Sequence, residues 1–209
     1  MNQPDRRPGN IPVSDEPINI SLKGEMLRKT THIGALAIPI IYYVTNIKII
    51  VALLIGALSI SLFTDLIRLY GSLRSRSLIQ KFFGIMIRPH EKKNFTGATY
   101  ILASSVITIL IFDKMVAILA ITYIVVGDTA GAIVGRLWGK IKFRGKTLEG
   151  SASFFLSCCL IAFIVPGVDL WIKISGAMVA AIVEALTVYI DDNVTVPLIT
   201  GVVMQLLVQ

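Results

Sequence analysis

From position 33 onward the chain is built of long apolar runs, each broken by a short polar interruption. The first run covers 33–64 and is broken at Thr45-Asn46 and Lys48. A helix that crosses a bilayer needs ~20 mostly apolar residues. One helix over the whole run would overshoot, so the pattern predicts a tight hairpin of two spans, near 32–45 and 48–66. Residues 98–127 repeat the arrangement around Asp113-Lys114, which predicts spans near 97–112 and 115–134. Further runs predict a span near 151–167 that stops at Pro166-Gly167, one near 172–189 and one near 194–208. The expected fold class is therefore all-α, a polytopic membrane protein of about seven transmembrane helices. Residues 1–21 form a polar, proline-containing tail, and 22–209 form a single transmembrane domain. No apolar h-region follows the start, so no cleavable signal peptide is expected.

Composition agrees. Of 209 residues, 55% are hydrophobic and only 16% are charged, against roughly a quarter charged in soluble domains. The mean hydropathy is +0.76. These values exclude a disordered, collagen-like or ordinary soluble chain. The cysteines, Cys158 and Cys159, are adjacent within an apolar run and read as small packing residues, since two neighbouring thiols make neither an ordinary structural disulfide nor a zinc site.

The net charge of +7 first suggests cytoplasmic loops, and only then nucleic acid, which is not an expected partner. All the basic residues except Lys48, Lys114 and Lys173 fall in three segments: the N-terminal stretch before the first span, the loop 67–96 and the loop 135–150. The positive-inside rule places all three in the cytoplasm, with the N-terminus. The expected location is the cytoplasmic (inner) membrane. Between Leu69 and Phe95, Leu78, Ile79, Phe82, Phe83, Ile85 and Met86 interleave with Arg74, Arg76, Lys81 and Arg88. This predicts an amphipathic helix lying on the inner leaflet.

Ionisable residues within a membrane are costly, and each is a functional candidate. Here they share one depth. His32 opens the first span, Asp65 ends the second, and Glu149 opens the fifth. Glu184 is near the inner end of the sixth, and Asp191, Asp192 and Asn193 form the turn after it. Asp128 lies ~20 Å along an inward-running helix at ~1.5 Å per residue, in the cytoplasmic half of a ~30 Å core. Carboxylates can hold Mg²⁺, and Mg²⁺ with Lys and Arg can hold a polyphosphate. A transporter more typically binds substrate at the midplane between repeated halves, and no internal repeat is evident. The layer points to an enzyme that takes an anionic donor from the cytoplasm and a lipid acceptor from the bilayer.

Three stretches carry the candidate chemistry. In the first, Glu25, Arg28, Lys29 and His32 are spaced so that three of them share a helix face. In the second, Gly127, Gly131, Gly135 and Gly139 recur at intervals of four around Asp128, with Arg136 among them. Such a face admits another backbone or a phosphate. A packing seam explains the glycines equally well, but it has no use for a buried carboxylate, which makes Asp128 the stronger site candidate. The stretch continues through Lys146, Thr147, Glu149 and Gly150. Gly145-Lys146-Thr147 is not a phosphate-binding P-loop, because position 140 is lysine where that motif needs glycine. The third stretch is Asp191-Asp192-Asn193 with Pro197.

These stretches resemble the integral-membrane lipid-alcohol kinases that use CTP: dolichol kinase, phytol kinase and the CTP-dependent diacylglycerol kinase, more distantly related to the phosphatidate cytidylyltransferases. The likeness rests on the Glu25-to-His32 opening, on Asp128, Gly131, Gly135 and Gly139 followed by Lys146-Thr147-Leu148-Glu149-Gly150, and on the late acidic turn. It runs from Glu25 to about Pro197, and Glu91 and Thr96-Gly97 also fit it. Gly131 stands in place of the family's alanine and Gly145 in place of a lysine, and the extra N-terminal spans of eukaryotic dolichol kinases are not seen. The resemblance implies transfer of the CTP γ-phosphate to a membrane lipid hydroxyl. Asp128, Asp191 and Asp192 would hold Mg²⁺ and the triphosphate. Arg28, Lys29, Arg136, Lys146, Thr147, Glu149, Asn193 and the glycines would line the nucleotide site. A carboxylate such as Asp128 or Glu25, or else His32, would receive the hydroxyl proton. The runner-up expectation is a cytidylyltransferase that makes a CDP-lipid. A third, from another class, is a membrane carrier or scaffold without catalysis. The acceptor lipid and the oligomeric state are open at this point.

Overall fold

The computed structural model describes residues 30, 32–72, 94–187 and 191–209. Over these residues the chain is all-α apart from one small hairpin. Its helices are α1 (Ala37–Val44), α2 (Ile47–Tyr70), α3 (Gly97–Ile111), α4 (Lys114–Trp138), α5 (Leu148–Ile164), α6 (Leu170–Leu186) and α7 (Asp192–Val208). Strands β1 (Lys142–Phe143) and β2 (Lys146–Thr147) lie between α4 and α5. The helices fall close to the apolar runs that predict them. The tail and most of the 69–95 segment expected to be amphipathic lie outside the described residues.

The polar interruptions act as turns for identifiable reasons. Asn46 ends the first apolar run because its side chain accepts from the Ile49 N–H at 3.1 Å, capping α2. Thr147 caps α5 in the same way through the Gly150 N–H at 3.2 Å. Between β1 and β2, Arg144 (φ 48°) and Gly145 (φ 84°) both take positive φ, the pair of conformations a two-residue type I′ hairpin requires. Glycine is the residue that adopts the second without strain, which accounts for Gly145 directly before Lys146.

Helix α4 is the hub, packed against α1, α3, α5, α6 and α7, while α2 lies outside against α3. Residues Val116 through Val125 are buried without interruption, so α4 is apolar all round because it has neighbours all round. The outward surface is the reverse of a soluble protein's. Ile60 and Phe63 on α2, Leu160 and Phe163 on α5 and Leu206 on α7 are all about two-thirds exposed. Asp65, Thr99, Ser104, Ser105, Thr108, Lys173, Glu184 and Thr200 are buried. Helices α2 and α4 are long and apolar enough to cross a membrane, and His32–Val44, Gly97–Ile111, Leu148–Ile164 and Asp192–Val208 are shorter apolar helices.

Antiparallel neighbours give the bundle two polar ends. At one end, Gln205 exchanges hydrogen bonds with Asp113 (2.9 Å each way), and the Lys114 ammonium donates to the Thr45 carbonyl at 2.9 Å. The other end holds His32, the close of α2, the β-hairpin and the α6–α7 turn. Both cysteines are free, and the buried Cys158 thiol faces the Tyr123 carbonyl.

Candidate functional site

The charged side chains of the second end meet where α1, α4, β2, α6 and α7 converge. His32 Nε2 lies 3.4 Å from Asp128 Oδ2, with both side chains largely covered. Lys146 reaches from β2 to two helices at once. Its Nζ sits 2.6 Å from Glu184 Oε1 and 3.3 Å from Asp192 Oδ2, and it donates to the Glu184 carbonyl at 2.6 Å. That carbonyl belongs to the last turn of α6, where helix carbonyls lack intrahelical partners and favour a cation. Burial alone pushes the Lys146 ammonium towards neutrality, but the charges of Asp192 and Glu184 outweigh it and hold its pKa above the ordinary lysine value. Asp128 and Asp192 both lie within electrostatic reach of Glu184, so the two charge pairs form one cluster. Ser151 on α5 completes it, donating to Glu184 Oε2 at 3.3 Å.

The acidic turn is held by a specific device. Asp191 caps α7, its Oδ1 accepting from the Asn193 N–H at 3.0 Å and from Asn193 Nδ2 at 2.7 Å. Pro197 lies inside this helix and has no N–H, so the carbonyl four residues earlier, that of Asn193, loses its helical donor. Ser104 on α3 replaces it, donating to the Asn193 carbonyl at 2.6 Å. The Asn193 side chain is buried, and its Oδ1 has no hydrogen-bond partner among the described residues.

The glycine face of α4 lies against α5. A Cβ on Gly127 would stand 2.6 Å from the Phe154 ring, one on Gly131 3.1 Å from the Gly150 carbonyl, and one on Gly135 2.6 Å from Thr147 Oγ1. Gly150 is equally close from the other side, 2.8 Å from the Gly131 carbonyl. Gly139 also faces Thr147. The absent side chains let α5 approach and so bring Thr147 and the preceding Lys146 under the end of α4. Glu149 turns to the hairpin, accepting from the Ile141 N–H at 3.3 Å. Arg136 is exposed on the last turn of α4.

Of the residues expected in the site, His32, Asp128, Lys146, Asp191, Asp192 and Asn193 are gathered, while Thr147, Glu149, Gly150 and the glycines form the α4–α5 joint that positions Lys146. Glu25, Arg28 and Lys29 lie outside the described residues. Asp65 shares the depth but not the cluster. It accepts from Arg68 Nε and Nη2, from the Thr96 N–H and Oγ1, and from Thr99 Oγ1, all within 3.0 Å, and it fastens α2 to the start of α3. Ser104 and Ser151 carry no signal in the sequence, where each is one of several hydroxyls in an apolar run. Pro197 is the feature that could have called for Ser104, because its orphaned carbonyl needs a donor from elsewhere. Among the described residues, no three His, Cys, Asp or Glu side chains converge as a preformed metal cage.

No family model matches the chain, and no solved structure does. Among characterised relatives, the protein named CTP-dependent diacylglycerol kinase 1 of Schizosaccharomyces pombe is 27% identical, over 68% of this chain and 74% of its own. The protein of the same name in Saccharomyces cerevisiae is 24% identical, over 90% and 74%. The uncharacterized protein RP860 of Rickettsia prowazekii is 30% identical, over 83% of this chain and 90% of its own length. The chain belongs to the family of that Rickettsia protein, with CTP-dependent diacylglycerol kinases among its more distant relatives.

Proposed function

We propose that the protein is a CTP-dependent lipid kinase that transfers the γ-phosphate of CTP to the hydroxyl of a membrane lipid. In this reading its helices cross the membrane about seven times, and its N-terminus and site face the cytoplasm. The observation that carries the proposal is the cluster of Lys146, Glu184, Asp192, Asp128 and His32 at one end of a bundle with an apolar exterior. The names of the distant relatives supply CTP and a lipid acceptor.

Phosphoryl transfer is chiefly positioning and charge neutralisation. Lys146, with Arg136 and with Arg28 and Lys29 of the tail, would set positive charge against the phosphates. Asn193 Oδ1, a buried acceptor, would take a donor from the ligand. The hydroxyl proton would pass to His32 or to a carboxylate, Asp128 or Glu25.

The residues fit Mg²⁺. Glu184 and Asp192 pair with Lys146, Asp128 lies within electrostatic reach of Glu184, and Asp191 adjoins Asp192, so carboxylates outnumber the one lysine where a triphosphate has to bind. Mg²⁺ is commonly held by one or two carboxylates plus substrate phosphates and keeps several waters, so a cage of three side chains is not needed. Asp128, Asp191 and Asp192 would hold the ion, and when bound it would offset the charge on the phosphates.

The atom transferred tests the proposal. CTP labelled at the γ-phosphorus, with mixed membrane lipid extract, is expected to give an organic-soluble labelled product, and CTP labelled at the α-phosphorus none. Label entering lipid only from the α-position would make the protein a cytidylyltransferase. No label from either position, across several lipid extracts, would point to a carrier or scaffold.

A further inference from the structure

The β-hairpin between α4 and α5 has an outer strand without a covered face. Both residues of β1, Lys142 and Phe143, are exposed, while Lys146 and Thr147 of β2 are half-buried. Every residue from Lys140 to Arg144 is exposed, and cations alternate with apolar side chains: Lys140, Ile141, Lys142, Phe143, Arg144. Trp138 at the end of α4 and Leu148 at the start of α5 extend the apolar part, and like Ile141 and Phe143 each is half or more exposed. None of Lys140, Lys142 and Arg144 is in an ion pair among the described residues. Glu149 is the one carboxylate between Arg136 and Gly150. It lies within electrostatic reach of Lys140 and accepts from the Ile141 N–H.

We propose that this hairpin docks on the anionic phospholipid head groups of the membrane around the bundle, and that the contact seats Lys146. The effect on Lys146 rests on the kinase reading, whereas the docking rests on the apolar exterior alone. Ile133 and Leu137, one turn apart on α4 and both exposed, carry that exterior up to Trp138. The hairpin therefore leaves the bundle where acyl chains give way to head groups, the level at which aromatic and basic side chains concentrate. Charge complementarity names the lipid. Each cation held near an anionic leaflet favours it by about 5-fold, or about 1 kcal/mol, and the exposed tip carries cations without a carboxylate. The apolar half of the pattern separates a lipid surface from a free nucleotide. A triphosphate would satisfy the cations and leave Trp138, Ile141 and Leu148 in water. The docked strand also bears on the site. Phe143 pairs with Lys146 across the hairpin, so an anchor on β1 steadies the backbone from which Lys146 reaches Glu184 and Asp192.

The chain has two tryptophans, one towards each end of the bundle: Trp138 beside the hairpin and Trp171 in the first turn of α6. The full-length protein is incorporated in phosphatidylcholine vesicles that contain equal mole fractions of either brominated phosphatidylglycerol or brominated phosphatidylcholine. In Trp171→Phe, quenching of Trp138 is expected to give a relative binding constant about 5-fold higher for the anionic lipid, the share of a single cation. The preference should vanish in ~1 M salt, where the screening length falls to ~3 Å, and in the triple variant Lys140→Gln, Lys142→Gln, Arg144→Gln. In Trp138→Phe, Trp171 should be quenched equally by the two lipids. Equal quenching of Trp138, quenching by neither lipid, or a preference that survives the triple substitution would overturn the proposal. In the labelled-CTP assay, phosphatidylglycerol should raise the rate of the wild type and not that of the triple variant, whose rate in pure phosphatidylcholine should match the wild type's. A triple variant with a raised KM for CTP and an intact response to phosphatidylglycerol would give the hairpin to the nucleotide instead. Anionic preference at Trp138 without a phosphorylated product would retain the docking surface and reject the kinase. A phosphorylated product without that preference would do the opposite.

Discussion

His32 Nε2 stands 3.4 Å from Asp128 Oδ2, so the start of the apolar His32–Val44 stretch is tied to the carboxylate of the central helix. The contact sets apart two carboxylates that look alike in the sequence. Asp128 holds an imidazole at the edge of the charge cluster, whereas all five donors on Asp65 come from Arg68, Thr96 and Thr99.

Replacing each by asparagine should separate their roles. Asp128→Asn is expected to lower the rate by about 100-fold, the upper range for a residue that supports a metal or phosphate site, with helicity by circular dichroism unchanged. Asp65→Asn is expected to destabilise the protein by about 1–3 kcal/mol, since it leaves buried donors with a poorer acceptor, while the activity of the folded fraction is retained. Normal activity in purified Asp128→Asn would remove that residue from the site.

Lys146→Met leaves Glu184 and Asp192 facing each other. Breaking a fully buried pair costs about 3–5 kcal/mol, and the 26% exposure of the Lys146 side chain brings the expected loss to about 1–2 kcal/mol. Adding Glu184→Gln should recover stability without recovering activity. Because the folded state raises the lysine's pKa above its ordinary 10.5, the stabilisation is fully present below that pH and is lost as pH rises through the higher folded-state value. The stability difference between wild type and Lys146→Met should therefore be level through neutral pH and shrink only in strong alkali. Unfolding curves in detergent measure this.

The glycine seam makes a contrast within one residue type. Gly127→Ala places a methyl 2.6 Å from atoms of the fully buried Phe154 ring, an overpacking expected to cost about 1–3 kcal/mol. Gly56→Ala on α2 meets nothing within 4 Å and should be neutral or stabilise by up to about 1 kcal/mol. Thermal unfolding of the two variants compares them directly, and equal behaviour would remove the seam as the reason α5 lies so close.

Orientation is open to chemical labelling. In a background lacking Cys158 and Cys159, a cysteine at Arg144 in the exposed hairpin turn should react with an impermeant reagent only from the cytoplasm. One at Asp169, in the exposed turn before α6, should react only from outside. Labelling of both from one face would reject the alternating-span reading.

Among the described residues, the places of the helices and the capped turns between them were legible in the sequence itself. Apolar run length is a local property, and so is a cap such as Asn46 or Thr147, whose partner N–H is three residues away. The shared depth of His32, Asp128, Glu184 and Asp192 followed from the same local count, and the order of the motifs pointed to phosphate chemistry. Tertiary structure alone decided which members of that layer touch. Lys146 meets Glu184 and Asp192 across 38 and 46 residues, a choice made by how α5, α6 and α7 pack around α4. The glycine face could have met a phosphate or a helix, and packing gave it to α5. Hydroxyls as anonymous as Ser104 and Ser151 acquired roles because a proline left one carbonyl without a donor and the packing of α5 against α6 brought Ser151 to the Glu184 carboxylate. Such roles depend on the neighbours that folding supplies, which no local pattern encodes.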